Sequence, residues 1–462
     1  MTGPVPAPTP HERPRVPVTS CPLPDPYTPA AGTPAVRVHR YDLELDYRVE
    51  SNRLAGDAVL HCTARSSSPR IELDLTGLSV SRVRAGLGAE HGGRKPVRFA
   101  QHGPRLAVTL PRPLEHGEEF TLEIRYGGRP GPADGPWGEI GWEELTDGVL
   151  VAGQPTGAST WFPCNDHPSQ KATFRFEIST DAEYYVLANG RLESRTRHAS
   201  RRTWVYRLDV PTPTYLATLQ IGDYRRTRLV EGPVPQYLVH PVGRADECAE
   251  GFRSQEQMMA AFTEAFGPYP FEDYTVVVAE DDLEIPLEAL GCSVFGRNHL
   301  AHSWDNQRLI AHELSHQWFG NSLTASGWQH IWLHEGFACY AEWLWSEASG
   351  GWSAARRAQA AWEGLRAAPQ DLEVGRPGPD AMFDDRVYKR GALTVHALRA
   401  AVGDDAFFPM LRSWTERYRH GLVTTELFEA HVAGKCPGLP REQLTALLHD
   451  WLFRPALPGF PG

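Results

Sequence analysis

The chain lacks the features that mark several large classes of protein. Among 462 residues, Lys and Arg total 46 against 57 Asp and Glu, a formal charge of -11. No run of basic residues offers a surface that could track phosphates, so no nucleic-acid partner is expected. No apolar stretch approaches the ~20 residues needed to span a bilayer. The N-terminus has no basic segment followed by an apolar one, so neither a leader nor a membrane anchor is expected, and the reading is cytoplasmic. Cysteine is scarce: Cys21, Cys62, Cys164, Cys248, Cys292, Cys339 and Cys436 make an odd number, scattered and without a C-x-x-C pair. That excludes a zinc ribbon or redox motif and leaves reduced, structural thiols as the simplest account. No separate histidine partner marks a cysteine nucleophile, and internal repeats are absent.

What is present is a large apolar complement, 41% of the residues, enough for two or three domains with substantial cores. The first 34 residues carry eleven prolines, a density that forbids helix and central strand. Residues 1–35 therefore read as an extended tail or strap. From Tyr41 the pattern changes: Tyr41, Leu43, Leu45, Tyr47 and Val49 alternate with polar residues, the period of a strand with one buried face. The alternation returns at Ile71 to Leu75, Phe120 to Tyr126, Phe174 to Ile178 and Trp204 to Val210. Residues 36–226 are accordingly expected to form an antiparallel, sandwich-like β domain.

Helical signals then take over. Arg244 to Phe266 holds few breakers and stops at Gly267-Pro268, and the apolar run Tyr274 to Ala279 predicts a strand. From Asn306 the chain is mostly helical. One helix is expected to stop at Gly320-Asn321, the next to run from about His330 to Ala348, and five more lie between Ser353 and Phe453. Residues 227–462 are thus a mainly helical domain with a small sheet, and the fold class is α+β, multidomain. Trp332, Trp343 and Trp345 read as core.

His312, Glu313 and His316 form an H-E-x-x-H sequence, and Glu335 follows after eighteen intervening residues. Helix positions four apart differ by roughly 40° in azimuth, so both imidazoles face one space, while Glu313, turned about 100° from His312, flanks it. A random chain of this length shows H-E-x-x-H about once in twenty, and a glutamate fixed at one later position makes the coincidence far rarer. The alternative is an amphipathic helix with two surface histidines. Zinc prefers four ligands, and a catalytic ion keeps one position open, so His312, His316 and Glu335 match a catalytic site holding one zinc per chain. Zinc lowers the pKa of its water to about 7, and Glu313 can accept that proton as a carbonyl is attacked. Hydrolysis of an amide is the expected reaction.

These segments resemble the gluzincin aminopeptidases, the family of aminopeptidase N and leukotriene hydrolase. The likeness runs through Ala311 to Asn321, A-H-E-L-S-H-Q-W-F-G-N, and Trp332 to Ala338, W-L-H-E-G-F-A, where the family has W-L-N-E-G-F-A. Gln154 to Ala158 and Trp161 to Pro168 are similar to its sheet-domain signature, and Val387 to Gly391, V-Y-K-R-G, to its V-Y-E-K-G. The resemblance covers about residues 36 to 462 and implies a thermolysin-like catalytic domain. It also implies Tyr388 as donor to the oxyanion, Glu288 as the carboxylate that holds the substrate's free amine, and Gln154 as a lining of the first subsite.

The chain departs from the family in the G-x-M-E-N segment. Ile285, Leu287 and Ala289 replace Gly, Met and Asn, and Pro286 has no N–H to offer substrate. Thr156 stands where many relatives have an acidic or amide residue, and His334 replaces the Asn before the third ligand. His334 is either a group packed behind the ligands or a satisfied surface histidine; His299, His302 and His330 are expected to be structural. Trp451 to Pro455 resembles the end of the family's catalytic domain, so a short form with an open cleft is expected, unless the proline-rich tail covers it.

The leading expectation is a zinc aminopeptidase acting on peptides with a free N-terminus, with a monomer as the default. A non-catalytic scaffold of the same fold, or a zinc endopeptidase or other zinc hydrolase, are the alternatives.

Overall fold

The computed structural model describes residues 24–88 and 93–461. Most of the proline-rich tail, and Cys21 with it, lies outside the described residues. Its last part is a strap: Asp25 is buried and its Oδ2 accepts from the Trp328 amide at 2.8 Å, while Thr33 N donates to Asn165 Oδ1 at 2.8 Å.

The alternation that begins near Tyr41 builds the strand Val36–Arg48, in which Tyr41, Leu43, Leu45 and Tyr47 are all buried. This strand pairs antiparallel with Arg53–Ala64 and parallel with Lys171–Asp181, at the centre of an eight-stranded sheet. The parallel pair is a departure from an all-antiparallel arrangement. It follows from a long excursion of chain between the two strands, which builds most of a second, five-stranded sheet before returning. The sheets meet at aromatic rings, with Tyr47 4.9 Å from Trp142, and within the larger sheet Tyr41 stacks on its cross-strand neighbour Phe174 at 5.0 Å. Such rings bury large apolar area and lock the layers in register.

A third sheet opens the second half of the chain. Tyr224–Val230 pairs with Gln236–Pro241, then come Tyr274–Ala279, Cys292–Gly296 and, at the edge, Leu287–Ala289. The division expected between residues 226 and 227 falls inside the first of these strands.

The helices are α1 (Ala245–Gly251), α2 (Gln255–Phe266), α3 (Trp304–Ser315), α4 (Trp332–Ala348), α5 (Ala354–Ala367), α6 (Asp385–Val402), α7 (Asp404–Arg417), α8 (Thr425–Lys435) and α9 (Arg441–Leu452). The single helix expected over Arg244 to Phe266 is two. A Cβ on Gly251 would lie 2.9 Å from the Leu300 carbonyl oxygen, and the break turns Phe252 onto Phe295 at 5.1 Å. Tertiary packing overrides propensity there. Trp332, Trp343 and Trp345 are buried in the helical core as expected.

Candidate metal centre

Helix α3 starts from Ser303, whose Oγ accepts from the Asn306 amide at 3.4 Å, a side-chain N-cap. It presents His312 and Glu313 and ends at Ser315, earlier than the expected stop at Gly320-Asn321. His316 is the capping residue and keeps helical angles, φ -56° and ψ -24°. The early end has a function: the chain curls so that the Phe319 carbonyl accepts from His316 Nδ1 at 3.0 Å. Gly320, at φ +117°, makes the turn, and a Cβ there would be strained and sit 3.4 Å from the same ring nitrogen.

Glu335 enters from the first turn of α4. Its Oε2 lies 3.3 Å from His312 Nε2 and 3.5 Å from His316 Nε2. One donor atom from each of the three residues falls within 4.8 Å of the others, and all three residues are buried. The two imidazoles are 4.8 Å apart and inclined at 77°. Each turns Nδ1 toward an acceptor, His312 to Glu342 Oε1 at 2.9 Å and His316 to Phe319, so the Nε2 atoms face the shared space and offer their lone pairs there when the rings are neutral. Glu313 lies alongside, with Oε2 buried and unpartnered. A buried carboxylate oxygen without a donor is costly, and one beside two imidazoles and a carboxylate fits a cation with its water. The residues present suit zinc.

The electrostatics agree. Burial disfavours the charged form of His312, but hydrogen bonds to Glu335 and Glu342 outweigh it and lift the ring to about 9; His316 is likewise lifted to about 10 by Glu335 and Glu288. Burial also opposes ionisation of Glu335, yet the two imidazoliums hold it well below the usual carboxylate range. Glu313 is pushed up to about 7, chiefly by burial, against the pull of both rings. A group poised there is suited to taking and returning a proton.

Tyr388 stands in the first turn of α6, which begins at Asp385 because Asp384 caps the Arg386 amide at 2.9 Å. Its ring lies 5.9 Å from that of His312. The close approach of α4 and α6 permits this: a Cβ on Gly336 would sit 2.9 Å from the Gly391 Cα. Burial, then Glu335, Glu288 and Glu313, raise the phenol well above its ordinary value, so it remains a donor.

Glu288 projects from the edge strand Leu287–Ala289 toward the same space, and one carboxylate oxygen of it, one of Glu313 and one ring nitrogen of His316 also lie within 4.8 Å of one another. Gln154, from the β-rich half, donates Nε2 to Glu288 Oε1 at 2.9 Å. The structure therefore brings together all seven residues singled out from the sequence: Gln154, Glu288, His312, Glu313, His316, Glu335 and Tyr388.

His334 is not a surface residue. It is buried, accepts from the Ala325 amide through Nε2 at 2.8 Å, and burial pushes it down to about 3, so it is neutral. His330 bonds Thr425 Oγ1 at 3.0 Å and is structural, as expected. The residue missed by sequence reasoning is Glu342, the carboxylate that orients His312. Burial opposes its ionisation, but Lys389, His312 and Arg308 hold its carboxyl below the usual range. It lies seven residues after Glu335 on α4, two helical turns along the same face, and that spacing was the available signal.

A buried three-donor centre with a free carboxylate beside it is the arrangement of a metallohydrolase. Comparison with known proteins narrows the class. The Peptidase M1 N-terminal domain matches residues 38–216 and the Peptidase family M1 domain residues 251–451. The crystal structure of an M1 zinc metallopeptidase from Deinococcus radiodurans is similar at TM-score 0.84 and 30% identity, covering 95% of this chain and 99% of that one. Aminopeptidase B of Rattus norvegicus is 25% identical over 474 residues, 90% of this chain and 70% of its own length. Leucine aminopeptidase 2 of Coccidioides immitis is 25% identical over 487 residues, 95% of this chain and 74% of its own. The chain belongs to peptidase family M1.

Proposed function

We propose that the protein is a zinc-dependent aminopeptidase that removes the N-terminal residue of peptides. One observation carries this reading: the carboxylate of Glu288, steadied by Gln154, faces the same buried space as His312, His316, Glu335 and Glu313. An aminopeptidase needs that combination, since a fixed negative charge must hold a free amine while the first peptide bond reaches the metal. The Deinococcus radiodurans relative has also been solved, as a mutant, with a Tyr-Ser-Ala substrate. Peptides are the substrate class we assign here.

His312, His316 and Glu335 would hold one zinc, which when bound polarises a carbonyl and acidifies water. Glu342 and the Phe319 carbonyl keep the two imidazoles turned so that their Nε2 atoms are available. Glu313 takes the proton of the attacking water and delivers it to the departing amine nitrogen. Tyr388 donates its phenolic hydrogen to the oxygen that gains charge as the carbonyl becomes tetrahedral. Gln154 occupies Oε1 of Glu288 and leaves Oε2 for the substrate ammonium. Region 36–226 thus supplies Gln154 and region 227–462 the other groups, all from one chain, so a monomer suffices. The six cysteines among the described residues are free and buried, which supports a reducing, cytoplasmic setting.

Digestion of a peptide library with free and with acetylated N-termini tests the assignment. We expect cleavage of the free peptides, one residue at a time. Equal cleavage of both sets would leave a zinc hydrolase and remove the aminopeptidase; no cleavage by the zinc-loaded protein would leave a scaffold.

A further inference from the structure

The backbone that carries Glu288 has little local means of holding itself. Its strand is three residues long, pairs on one side only with Cys292–Gly296, and is entered through Pro286 and the exposed Ile285. A turn at Gly291, φ +77°, closes the hairpin. Such a strand has ladder partners on one side only and three residues' worth of them. A shift of about 1 Å in a substrate-holding group can cost 10²-fold in rate.

Three side-chain amides supply what the strand lacks. Gln317, the residue after His316, donates Nε2 to the Ala289 carbonyl at 3.1 Å and accepts from the Gly291 amide through Oε1 at 2.9 Å. Asn321, four residues further, donates Nδ2 to the same Ala289 carbonyl at 2.9 Å. From the β-rich half, Asn189 donates Nδ2 to the Leu290 carbonyl at 2.9 Å and to the Leu216 carbonyl at 3.0 Å, while its Oδ1 accepts from the Thr218 amide at 2.6 Å. Ala289, Leu290 and Gly291, the three residues that follow Glu288, are each held by an amide side chain. All three amides are fully or almost fully buried, at 0%, 0% and 2% exposure for Gln317, Asn321 and Asn189. Burying an unbonded amide is costly, so the bonded groups of these side chains and the turn fix one another; of the six amide N and O atoms only Asn321 Oδ1 lacks a partner.

The connection is short on the metal side. One peptide bond separates His316 from Gln317, and one separates Glu288 from Ala289. The spacing between the metal donors and the Glu288 carboxylate is therefore set by one buried, hydrogen-bonded side chain that joins the residue after His316 to the residue after Glu288, and not by the weak edge strand alone.

We propose that Gln317, Asn321 and Asn189 are positioning residues that fix the distance between the metal centre and the amine-binding carboxylate, and so the one-residue register of cleavage. This rests on the reading of Glu288 as the amine anchor. Asn189 adds a further property: because it reaches across from the β-rich half, the register also depends on how the two halves are docked.

The test uses the intact, zinc-loaded chain with Gln317→Met and Asn189→Leu, which remove the amide bonds at nearly constant volume, and Gln317→Ala and Asn189→Ala, which leave room for water at the freed backbone groups, should the first pair not fold. Zinc content, kcat and KM for an aminoacyl arylamide, and inhibition by an amino-acid amide with and without an N-acetyl group are measured. We expect zinc to be retained, KM to rise about tenfold or more per substitution as the turn that carries Glu288 loses its buried hydrogen bonds, and preference for the free amine over the acetylated analogue to fall by a similar factor. Variants that lose thermal stability but keep KM and the preference overturn the proposal, because a purely structural role predicts that result. Glu288→Gln separates the two readings. If it leaves the preference intact, the amine anchor itself is wrong; if it abolishes the preference while the amide variants do not change it, only the positioning role is wrong.

Discussion

The side of the site that we assign to the metal and the side that we assign to the substrate amine are built on different principles. His312, Glu313 and His316 lie within five consecutive residues, and Glu335 joins them from the first turn of the neighbouring helix. Helical geometry places most of that cluster, and one orienting partner per imidazole, Glu342 or the Phe319 carbonyl, completes it. Glu288 and Gln154 lie 134 residues apart, on a short edge strand and a loop of another region, and the turn after Glu288 is held by amides from two further segments. A site made by local geometry tolerates change elsewhere, while a site made by docking inherits every error in the docking.

This contrast can be broken or sharpened by experiment. Glu313→Gln should abolish the proton relay, lowering kcat by about 10² to 10⁴-fold while zinc content stays at one per chain, measured by arylamide hydrolysis and metal analysis. Loss of zinc in that variant would show that the base also helps to hold the ion. Tyr388→Phe removes one donor to the oxyanion and should lower kcat by about 10² to 10³-fold with KM nearly unchanged. An effect confined to KM would move Tyr388 from the reacting centre to substrate binding.

Glu342→Ala should weaken zinc binding about 10 to 100-fold by freeing the His312 ring, read by chelator competition without reference to activity. The pH dependence of zinc binding follows from the same groups. In the metal-free protein His312 and His316 titrate near 9 and 10, above the unfolded value of about 6.5. Their contribution to stability is present in full below that unfolded value and is lost as the pH rises through 9 to 10. Zinc requires neutral rings, so its apparent affinity moves the opposite way, rising by about two log units per pH unit below 9, one for each imidazole. A slope near zero would mean that the rings are already neutral in the metal-free protein. The smallest effect is expected of His334→Asn: its bond to Ala325 lies behind the ligands, so melting temperature should drop by a few degrees with zinc affinity within about tenfold.

Much of the metal side was legible because its information is periodic. Two imidazoles four residues apart on a helix have one relative placement, and three donors leave a coordination position free for water. Glu342 could have been found by extending the same periodicity two turns beyond Glu335. The amine side was legible only through resemblance, since nothing in Ile285-Pro286-Leu287-Glu288-Ala289 states that Gln154 will meet it. The strand alternation from Tyr41 onward gave the β-rich half, but not the parallel pairing of Val36–Arg48 with Lys171–Asp181, which depends on where a long intervening segment folds back. The break at Gly251 was equally hidden, because its cause is contact with Leu300, 49 residues away.

Residue order alone therefore determined most of the elements and the proposed donor set and base, as these follow from residue periodicity, the spacing of the donors and the coordination chemistry of zinc. Only the tertiary structure decided that His334 is buried and neutral, that His316 caps its helix, and that the turn after Glu288 is held by Gln317, Asn321 and Asn189. Those outcomes depend on desolvation and on hydrogen bonds between segments far apart in the chain, and neither quantity exists until the segments have packed.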